Sequence, residues 1–162
     1  LLRAHGAEAK YYHRIIGSNS RLDALQASLL RVKLRRLDSW ADALQEHASK
    51  YDEALTAMNG LQIPYRAPAR THCYHQYTVR VHNGNRDALQ ESLQKRGIDT
   101  AVYYPVPLHL QPALHHLGYQ EGDFPQAERA CASVLSLPMF PEMTSKERTW
   151  VIDSIRSFQK VA

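Results

Sequence analysis

The first segment whose residues could bind a ligand is Gly17-Ser18-Asn19-Ser20, which precedes a helical pattern. Small residues at a helix start leave backbone N–H groups free, and the helix dipole adds partial positive charge there. Asn19 can donate a side-chain N–H to the same anion, and Arg21 adds a full positive charge nearby. This arrangement predicts a phosphate site. The alternative is structural, because Ser20 and Asp23 have the spacing of a helix cap.

A second group consists of histidines and tyrosines in the C-terminal part of the chain. They are His72, His75, His109, His115 and His116, with Tyr74, Tyr77, Tyr103 and Tyr104. No pair of these histidines has the H-x-x-x-H spacing of a helical zinc site, so we expect no metal site. Polar aromatic residues at the end of a predicted strand, as in Tyr103-Tyr104-Pro105, favour a pocket wall or a subunit contact. Half-buried packing is the alternative for each of them.

A basic series, Arg31, Lys33, Arg35 and Arg36, raises the question of nucleic-acid binding. Acidic residues follow it on the same predicted helix, so a solvated helix face explains the pattern better. The sequence also contains no nucleophile elbow, no phosphate-binding lysine loop and no G-x-G-x-x-G. No motif therefore supports catalysis by this chain on its own.

The elements that position these residues begin with one predicted long helix over residues 22–58. Its apolar residues recur in steps of four and three and form what we call the apolar seam: Leu30, Leu34, Leu37, Ala41, Leu44, Ala48, Tyr51, Leu55 and Met58. Such a helix would be roughly 55 Å long at ~1.5 Å per residue, so we expect part of it to bridge two bodies or to meet another subunit. Asn59-Gly60 marks the predicted domain boundary, with residues 1–59 before it and 60–162 after it.

The second predicted domain mixes short strands with short helices. Strands are predicted over residues 75–81 and 98–104, and helices over 86–96, over 125–135 and after a capping box formed by Thr144 and Glu147. The alternation in the first strand places Tyr77, Val79 and Val81 on one side. This order of elements predicts an α+β domain.

The composition is that of an ordinary globular protein. The 162 residues are 44% hydrophobic and 22% charged, which excludes disordered and fibrous classes. No apolar run of ~18 residues occurs, so we expect no transmembrane helix. Cys73 and Cys131 are too few for a disulfide framework and indicate a reduced, cytoplasmic protein. The chain opens at Leu1 without an initiator Met or a signal-peptide pattern, so we expect a fragment of a longer protein.

Sequence motifs across nearly the whole chain occur in an order typical of one family. They are residues 11–27 with their G-S-N-S-R-L-D core, residues 30–34, Tyr74-His75-Gln76-Tyr77, residues 103–112, residues 122–128 and residues 134–141. In this order they resemble the DegT/DnrJ/StrS family of sugar aminotransferases, which depend on pyridoxal 5'-phosphate (PLP). The resemblance implies the α/β fold type I of PLP-dependent transferases. Within that fold it implies the C-terminal part, a long linking helix plus a small α+β domain with a short antiparallel sheet flanked by helices.

The resemblance also implies site residues. Asn19 matches the family asparagine that reaches across a dimer to the PLP phosphate of the partner subunit, and Arg21 stands beside it as a second cofactor-binding residue. Tyr103, Tyr104 and His109 match positions near the sugar-nucleotide site. Tyr103 departs from the family pattern, because many relatives carry His there.

The resemblance places the reacting groups elsewhere. The family's Schiff-base lysine, the aspartate that pairs with the pyridine nitrogen and the residue that stacks on the ring all lie upstream of these motifs. The lysines of this chain stand in other contexts: Lys10, Lys33, Lys50, Lys95, Lys146 and Lys160. We therefore expect no catalytic residue in this chain and no activity from the chain alone.

The resemblance finally implies a function for the intact protein. That protein is expected to transfer an amino group, from a donor such as glutamate, to a nucleotide-linked keto-sugar in deoxyamino-sugar, cell-surface polysaccharide or antibiotic biosynthesis. PLP would be bound mainly by the upstream region, in a homodimer or larger homo-oligomer without nucleic-acid or membrane partners. The alternative is a truncated, non-catalytic remnant that acts as a binding or dimerisation module.

Overall fold

The computed structural model describes residues 1–159. The chain divides into two compact units, Leu1–Ser39 and Trp40–Ala162. This division lies N-terminal to the boundary predicted near residue 60, because Tyr51 and Leu55 are fully buried in the core of the second unit. The assignment of residues 1–59 and 60–162 to two parts of a larger enzyme stays a prediction.

The first unit contains a short hairpin and a helix. β1 (Ala7–Ala9) pairs antiparallel with β2 (Tyr12–His13), and α1 spans Ala24–Leu34. Gly6 has a φ of +74°, and a Cβ at this position would clash with the carbonyl oxygen of Ile15. Only glycine satisfies both conditions, so this close approach of two backbone segments fixes the path of the hairpin.

The prediction of one helix over residues 22–58 is wrong, since a turn at Arg35 and Arg36 interrupts it. The first part is α1, and α2 spans Leu37–Leu55. At the interruption the Arg36 N–H donates to the Lys33 carbonyl at 2.9 Å, the three-residue bond of a tightened last turn. Neither Gly nor Pro stands at this position, so no helix-breaking residue predicts the interruption.

The helix α1 begins at a different cap from the predicted one. Asp23 has extended backbone angles, and its carboxylate accepts from the Leu25 N–H at 2.8 Å. Ser20 lies outside the helix, where its own N–H donates to the Arg3 carbonyl at 3.0 Å. The capping role therefore belongs to Asp23.

The second unit is built on a three-stranded antiparallel sheet. In order across the sheet, the strands are β3 (Leu61–Gln62), β4 (Tyr77–Val81) and β5 (Val134–Leu137). Leu61 lies opposite Val81, and Tyr77 lies opposite Leu137. The alternation predicted for β4 is confirmed, because Tyr77, Val79 and Val81 are all buried.

Helices flank this sheet. They are α3 (Arg86–Gln94), α4 (Pro125–Ser133) and α5 (Ser145–Gln159), with two 3₁₀ helices at Leu108–Leu110 and Pro112–Leu117. The capping box of α5 is confirmed, because the Thr144 N–H donates to the Glu147 carboxylate at 2.8 Å and the Glu147 N–H donates to the Thr144 hydroxyl at 3.2 Å. The helix therefore begins where the sequence predicts.

Two other element predictions in this unit are wrong. The helix predicted over residues 125–135 stops at Ser133, because the following residues form β5 and pair with β4. An apolar run that continues a helical pattern does not reveal such a change. The strand predicted over residues 98–104 is reduced to one bridge between Ala101 and Ser136, whose N–H groups donate to each other's carbonyls at 3.2 and 2.7 Å.

The core of the second unit joins α2 to the sheet. The Tyr51 ring packs against Tyr77 with centroids 5.0 Å apart, and its hydroxyl donates to the Pro138 carbonyl at 3.0 Å. The Tyr77 hydroxyl donates to the Asp52 carboxylate at 2.6 Å. Burial raises the pKa of both phenols, and the hydrogen bond with Asp52 raises the pKa of Tyr77 further. These contacts anchor β4 and the segment that follows β5 to α2.

Candidate functional site

A cavity of about 590 Å³ lies in the second unit beside residues 103–111. One wall is the segment that follows the Ala101 bridge and enters the first 3₁₀ helix, and the other comes from Phe124 and α4. Tyr103, Tyr104 and His109 all line the cavity. The structure therefore brings together the three residues that the family resemblance assigns to the sugar-nucleotide site, while their role in binding stays a prediction.

The cavity wall is mostly apolar. Tyr103 and Tyr104 are 46% and 72% exposed, and their rings meet edge to face with centroids 5.9 Å apart. The rest of the wall is largely aliphatic or small: Pro105, Val106, Pro107, Leu108, Ala127, Ala130 and Cys131. Open phenol rings beside aliphatic surface can cover one face of a sugar or base ring while their hydroxyls form hydrogen bonds. The cavity therefore suits a small ring-containing ligand.

His109 is buried in this wall, where a carboxylate holds its ring. Nε2 of His109 lies 2.9 Å from Oε1 of Glu128, and the ring centroid lies 4.8 Å from that of Phe124. Burial would raise the pKa of Glu128, but hydrogen bonds from the Gly122 and Phe124 amides and the contact with His109 outweigh it, so the pKa is lowered. Glu128 is therefore ionised at neutral pH, and the Nε2–H of His109 donates to it.

Glu128 is the residue of this site that sequence reasoning missed. It is separated from His109 by 19 positions, so no local spacing connects the two. One signal was present, since Glu128 stands in the first turn of α4 directly after a turn at Gly122-Asp123. Backbone N–H groups at a helix start lack partners within the helix, and an acidic side chain there is the natural acceptor.

The predicted phosphate segment lies in the first unit, in extended pairing with the start of the chain. Asn19 forms an isolated antiparallel bridge with Ala4. The N–H groups of Ser18 and Ser20 donate to backbone carbonyls at 2.9 and 3.0 Å, so neither is free for an anion. The predicted cup of free backbone N–H groups at a helix start is therefore wrong.

The side chains of this segment keep the chemistry that the prediction needs. Asn19 and Arg21 are exposed, and no hydrogen bond within residues 1–159 engages either side chain. An amide N–H and a guanidinium two positions apart form a donor set that fits a phosphate group, including that of PLP. Their role in cofactor binding stays a prediction that depends on side chains alone.

The other predicted histidines do not join this site. His72 bonds locally, because its Nδ1 accepts from the Tyr74 N–H at 2.9 Å. In the part of the chain that the structure describes, no group of three or more His, Cys, Asp or Glu side chains could hold a metal ion. Across the same residues, no helix combines the length and the apolar character needed to span a membrane.

Two lysines of the second unit form ion pairs at the surface. Lys50 and Lys95 form ion pairs with Glu53 and Glu91 at 2.9 and 2.7 Å, and all four side chains are exposed. Lys160 lies outside the described residues. None of the residues that line the cavity is a lysine.

Comparison with known families decides the membership of the chain. The model of the DegT/DnrJ/EryC1/StrS aminotransferase family matches residues 1–156. The chain belongs to this family. The resemblance inferred from ordered motifs is therefore confirmed for nearly the whole chain.

Relatives of this family member agree with the assignment. A pleiotropic regulatory protein of Geobacillus stearothermophilus is 44% identical over 99% of this chain and 43% of its own length. A dTDP-3-amino-3,4,6-trideoxy-alpha-D-glucose transaminase of Streptomyces venezuelae is 40% identical over 98% of this chain and 41% of its own length. The chain thus spans about two fifths of the length of these relatives.

A solved structure supports the fold. The X-ray structure of S. venezuelae DesV in complex with a ketimine intermediate has a TM-score of 0.92 and 40% identity, covering 98% of this chain and 42% of that one. The predicted fold class, the C-terminal part of an α/β fold type I transferase, is confirmed. So is the short antiparallel sheet flanked by helices, whereas the linking helix is interrupted between α1 and α2.

Proposed function

We propose that the full-length protein is a PLP-dependent aminotransferase that transfers an amino group, from a donor such as glutamate, to a nucleotide-linked keto-sugar. The observation that carries this proposal is the cavity whose wall contains Tyr103, Tyr104 and His109 together. The name of the transaminase relative, which describes a dTDP-linked amino sugar, supports this substrate class. The proposed setting is deoxyamino-sugar, cell-surface polysaccharide or antibiotic biosynthesis.

The first unit contributes to cofactor binding in this proposal. PLP, when bound, supplies an electron sink and a carrier for the amino group. Asn19 donates its amide N–H to the cofactor phosphate of the partner subunit, and Arg21 adds its positive charge. Support comes from the exposure of both side chains and from their freedom from other hydrogen bonds within residues 1–159.

The second unit contributes the substrate wall. Tyr103 and Tyr104 cover one side of the sugar nucleotide and exclude water from it, while His109 supports the wall from within. The open edges of both phenol rings and the mostly apolar lining of the cavity support these roles. Binding and orientation are thus the tasks of this chain.

Proton transfer belongs to another part of the full-length protein in this proposal, so the chain alone is inactive. The exposed ion pairs of Lys50 and Lys95 support this division, because an ammonium held at the surface is poorly suited to proton transfer in a closed site. We place the protein in the cytoplasm as a homodimer or larger homo-oligomer. The unpaired cysteines, Cys73 and Cys131, support a reducing compartment.

The test is amino transfer by the full-length protein from glutamate to dTDP-linked 3-keto-deoxysugars. We expect 2-oxoglutarate and the amino sugar to form in equal amounts. Tyr104→Ala should raise the KM for the sugar nucleotide about tenfold, since a ring contact is lost. Tyr65→Ala is the matched control, because Tyr65 is similarly exposed and lies outside the cavity. Absence of transfer with every nucleotide-linked keto-sugar tried would contradict the proposal.

A second candidate is a binding or dimerisation module without catalysis. The 44% identity to a pleiotropic regulatory protein favours it. This candidate predicts that the full-length protein binds a sugar nucleotide or forms dimers while glutamate yields no 2-oxoglutarate. The same transfer assay, read beside direct binding of the sugar nucleotide, therefore separates the two candidates.

A further inference from the structure

Glu128 connects the two walls of the cavity. Its Oε1 lies 2.9 Å from Nε2 of His109 and accepts from the N–H groups of Gly122 and Phe124 at 2.9 and 3.3 Å. Its Oε2 accepts from Gly122 at 3.1 Å. His109 belongs to the wall formed by residues 103–111, whereas Gly122 and Phe124 belong to the turn before α4. One carboxylate therefore joins two segments that are distant in the sequence.

The contact between Glu128 and His109 is largely shielded from water. The side chains of His109 and Glu128 are only 7% and 19% exposed, so their hydrogen bond is stronger than one between surface groups. Glu128 itself does not line the cavity, although His109, Phe124 and Ala127 around it do. A residue in this position acts on a ligand through its neighbours.

We propose that Glu128 is a positioning residue for sugar-nucleotide binding, which holds His109 and Phe124 together as one continuous wall and does not touch the substrate. The inference rests on the proposed function, which gives the cavity its ligand. Because Nε2–H of His109 donates to Glu128, the neutral ring keeps Nδ1 as an acceptor for a ligand hydroxyl. Glu128 thus sets both the place and the tautomer of His109.

Loss of this carboxylate should weaken binding more than turnover. Glutamine at this position keeps only one acceptor oxygen, carries no charge and brings an NH2 group close to the Gly122 N–H, so the turn would be held less tightly to the wall that carries His109. We expect Glu128→Gln to raise the dissociation constant and the KM for the sugar nucleotide about tenfold while kcat changes by less than about twofold. Glu121→Gln is the matched control, since it removes the same charge from an exposed position in the same turn.

A thiol probe tests the wall without turnover. Cys131 lines the cavity and is half-buried, whereas Cys73 is exposed. In the full-length protein treated with iodoacetamide, peptide mass spectrometry gives the alkylation rate of each. We expect Glu128→Gln to raise the rate at Cys131 several-fold relative to Cys73, and Glu121→Gln to change neither rate. Equal rates at Cys131 in Glu128→Gln and the wild type would overturn the proposal.

His109→Phe tests whether Glu128 acts through His109, because it removes the Nε2–H donor and keeps a ring against Phe124. We expect this variant to raise the Cys131 rate, and the double variant to be alkylated no faster than Glu128→Gln alone. If the increases in the Cys131 alkylation rate multiply in the double variant, Glu128 does not act through His109 and the proposal is overturned. If Glu128→Gln does not fold, His109→Phe alone decides, and an unchanged Cys131 rate in it overturns the proposal.

Direct binding separates this inference from the proposed function. Calorimetry with a dTDP-linked sugar measures affinity whether or not the protein transfers amino groups. Weaker binding in Glu128→Gln than in Glu121→Gln supports the positioning role, even if the wild type proves inactive as an aminotransferase. Unchanged affinity in Glu128→Gln, beside a raised Cys131 rate, overturns the role in sugar-nucleotide binding.

Discussion

The apolar residues of α1 and of α2 belong to one seam in the sequence, yet only those in the C-terminal half of α2 are buried. Tyr51 and Leu55 are fully buried, whereas Leu30 and Leu34 are 53% and 65% exposed. The side chains are of the same kind, so the difference lies in what each stretch meets. The end of α2 packs on the sheet and on Tyr77, while α1 has no comparable surface within its own unit.

The two candidate sites differ in the same way. The wall that contains His109 is completed by contacts inside the chain, chiefly with Glu128 and Phe124. Asn19 and Arg21 have exposed side chains that no hydrogen bond within residues 1–159 engages. Because large exposed apolar surfaces mark contacts with other protein surfaces, we expect another protein surface to cover the exposed leucines of the first unit.

The largest expected effect on stability comes from comparing two leucines of the apolar seam, one in each helix. In the 162-residue chain, Leu55→Ala should lower the free energy of unfolding of the second unit by about 2–5 kcal/mol, since it leaves a cavity in the core. Leu30→Ala should change it by less than about 0.5 kcal/mol, since Leu30 is exposed. Urea denaturation followed by circular dichroism measures both. Equal losses would contradict the proposed difference between the two stretches.

Predictions from the sequence succeeded where neighbouring residues determine the structure. The alternation of Tyr77, Val79 and Val81 predicts β4, because a strand with one buried face repeats every two residues. The capping box of Thr144 and Glu147 predicts the start of α5, because both partners lie within one turn. The family motifs likewise led to the tyrosines of the cavity wall.

The predictions failed where distant partners decide. Val134 and the residues after it form a strand because they pair with β4, a partner that their own helical pattern does not show. Asn19 is extended because it pairs with Ala4, not because of the helix that follows. The bond between His109 and Glu128 joins positions with no local spacing relation. Tertiary pairing therefore overrode local pattern at each of these places.

A smaller expected effect concerns Asn19, whose exposed side chain forms no hydrogen bond within residues 1–159. In the full-length protein, Asn19→Ala should weaken PLP retention about tenfold, because one charge-assisted hydrogen bond to the cofactor phosphate is lost. Stability should not change, since the side chain is exposed. Dialysis followed by cofactor absorbance measures retention, and Ser18→Ala is the neighbouring control. Unchanged retention in Asn19→Ala would refute the assignment of Asn19 as the phosphate contact.

The second unit offers a test in which stability depends on pH. Thr144→Ala should cost about 1 kcal/mol of unfolding free energy through loss of the cap. Hydrogen bonds from Thr144 lower the pKa of Glu147, so this contact stabilises the fold above the ordinary carboxylate pKa and is lost as pH falls through the lowered value. Glu147→Gln should therefore reduce the acid sensitivity of Tm. An unchanged pH profile in that variant would contradict the argument.

The smallest expected effect lies inside the buried region itself. The Ser154 hydroxyl is fully buried, and no hydrogen-bond partner for it occurs among the described residues, whereas the Ser157 hydroxyl on the same helix donates to the Asp153 carbonyl at 2.8 Å. Both serines gain similar helix propensity on replacement by alanine, so the difference isolates the unpaired hydroxyl. Ser154→Ala should stabilise the fold by up to about 1 kcal/mol more than Ser157→Ala in thermal denaturation. If Ser154→Ala is instead the less stable of the two variants, the Ser154 hydroxyl has a hydrogen-bond partner in solution. The prediction that it is unpaired would then be wrong.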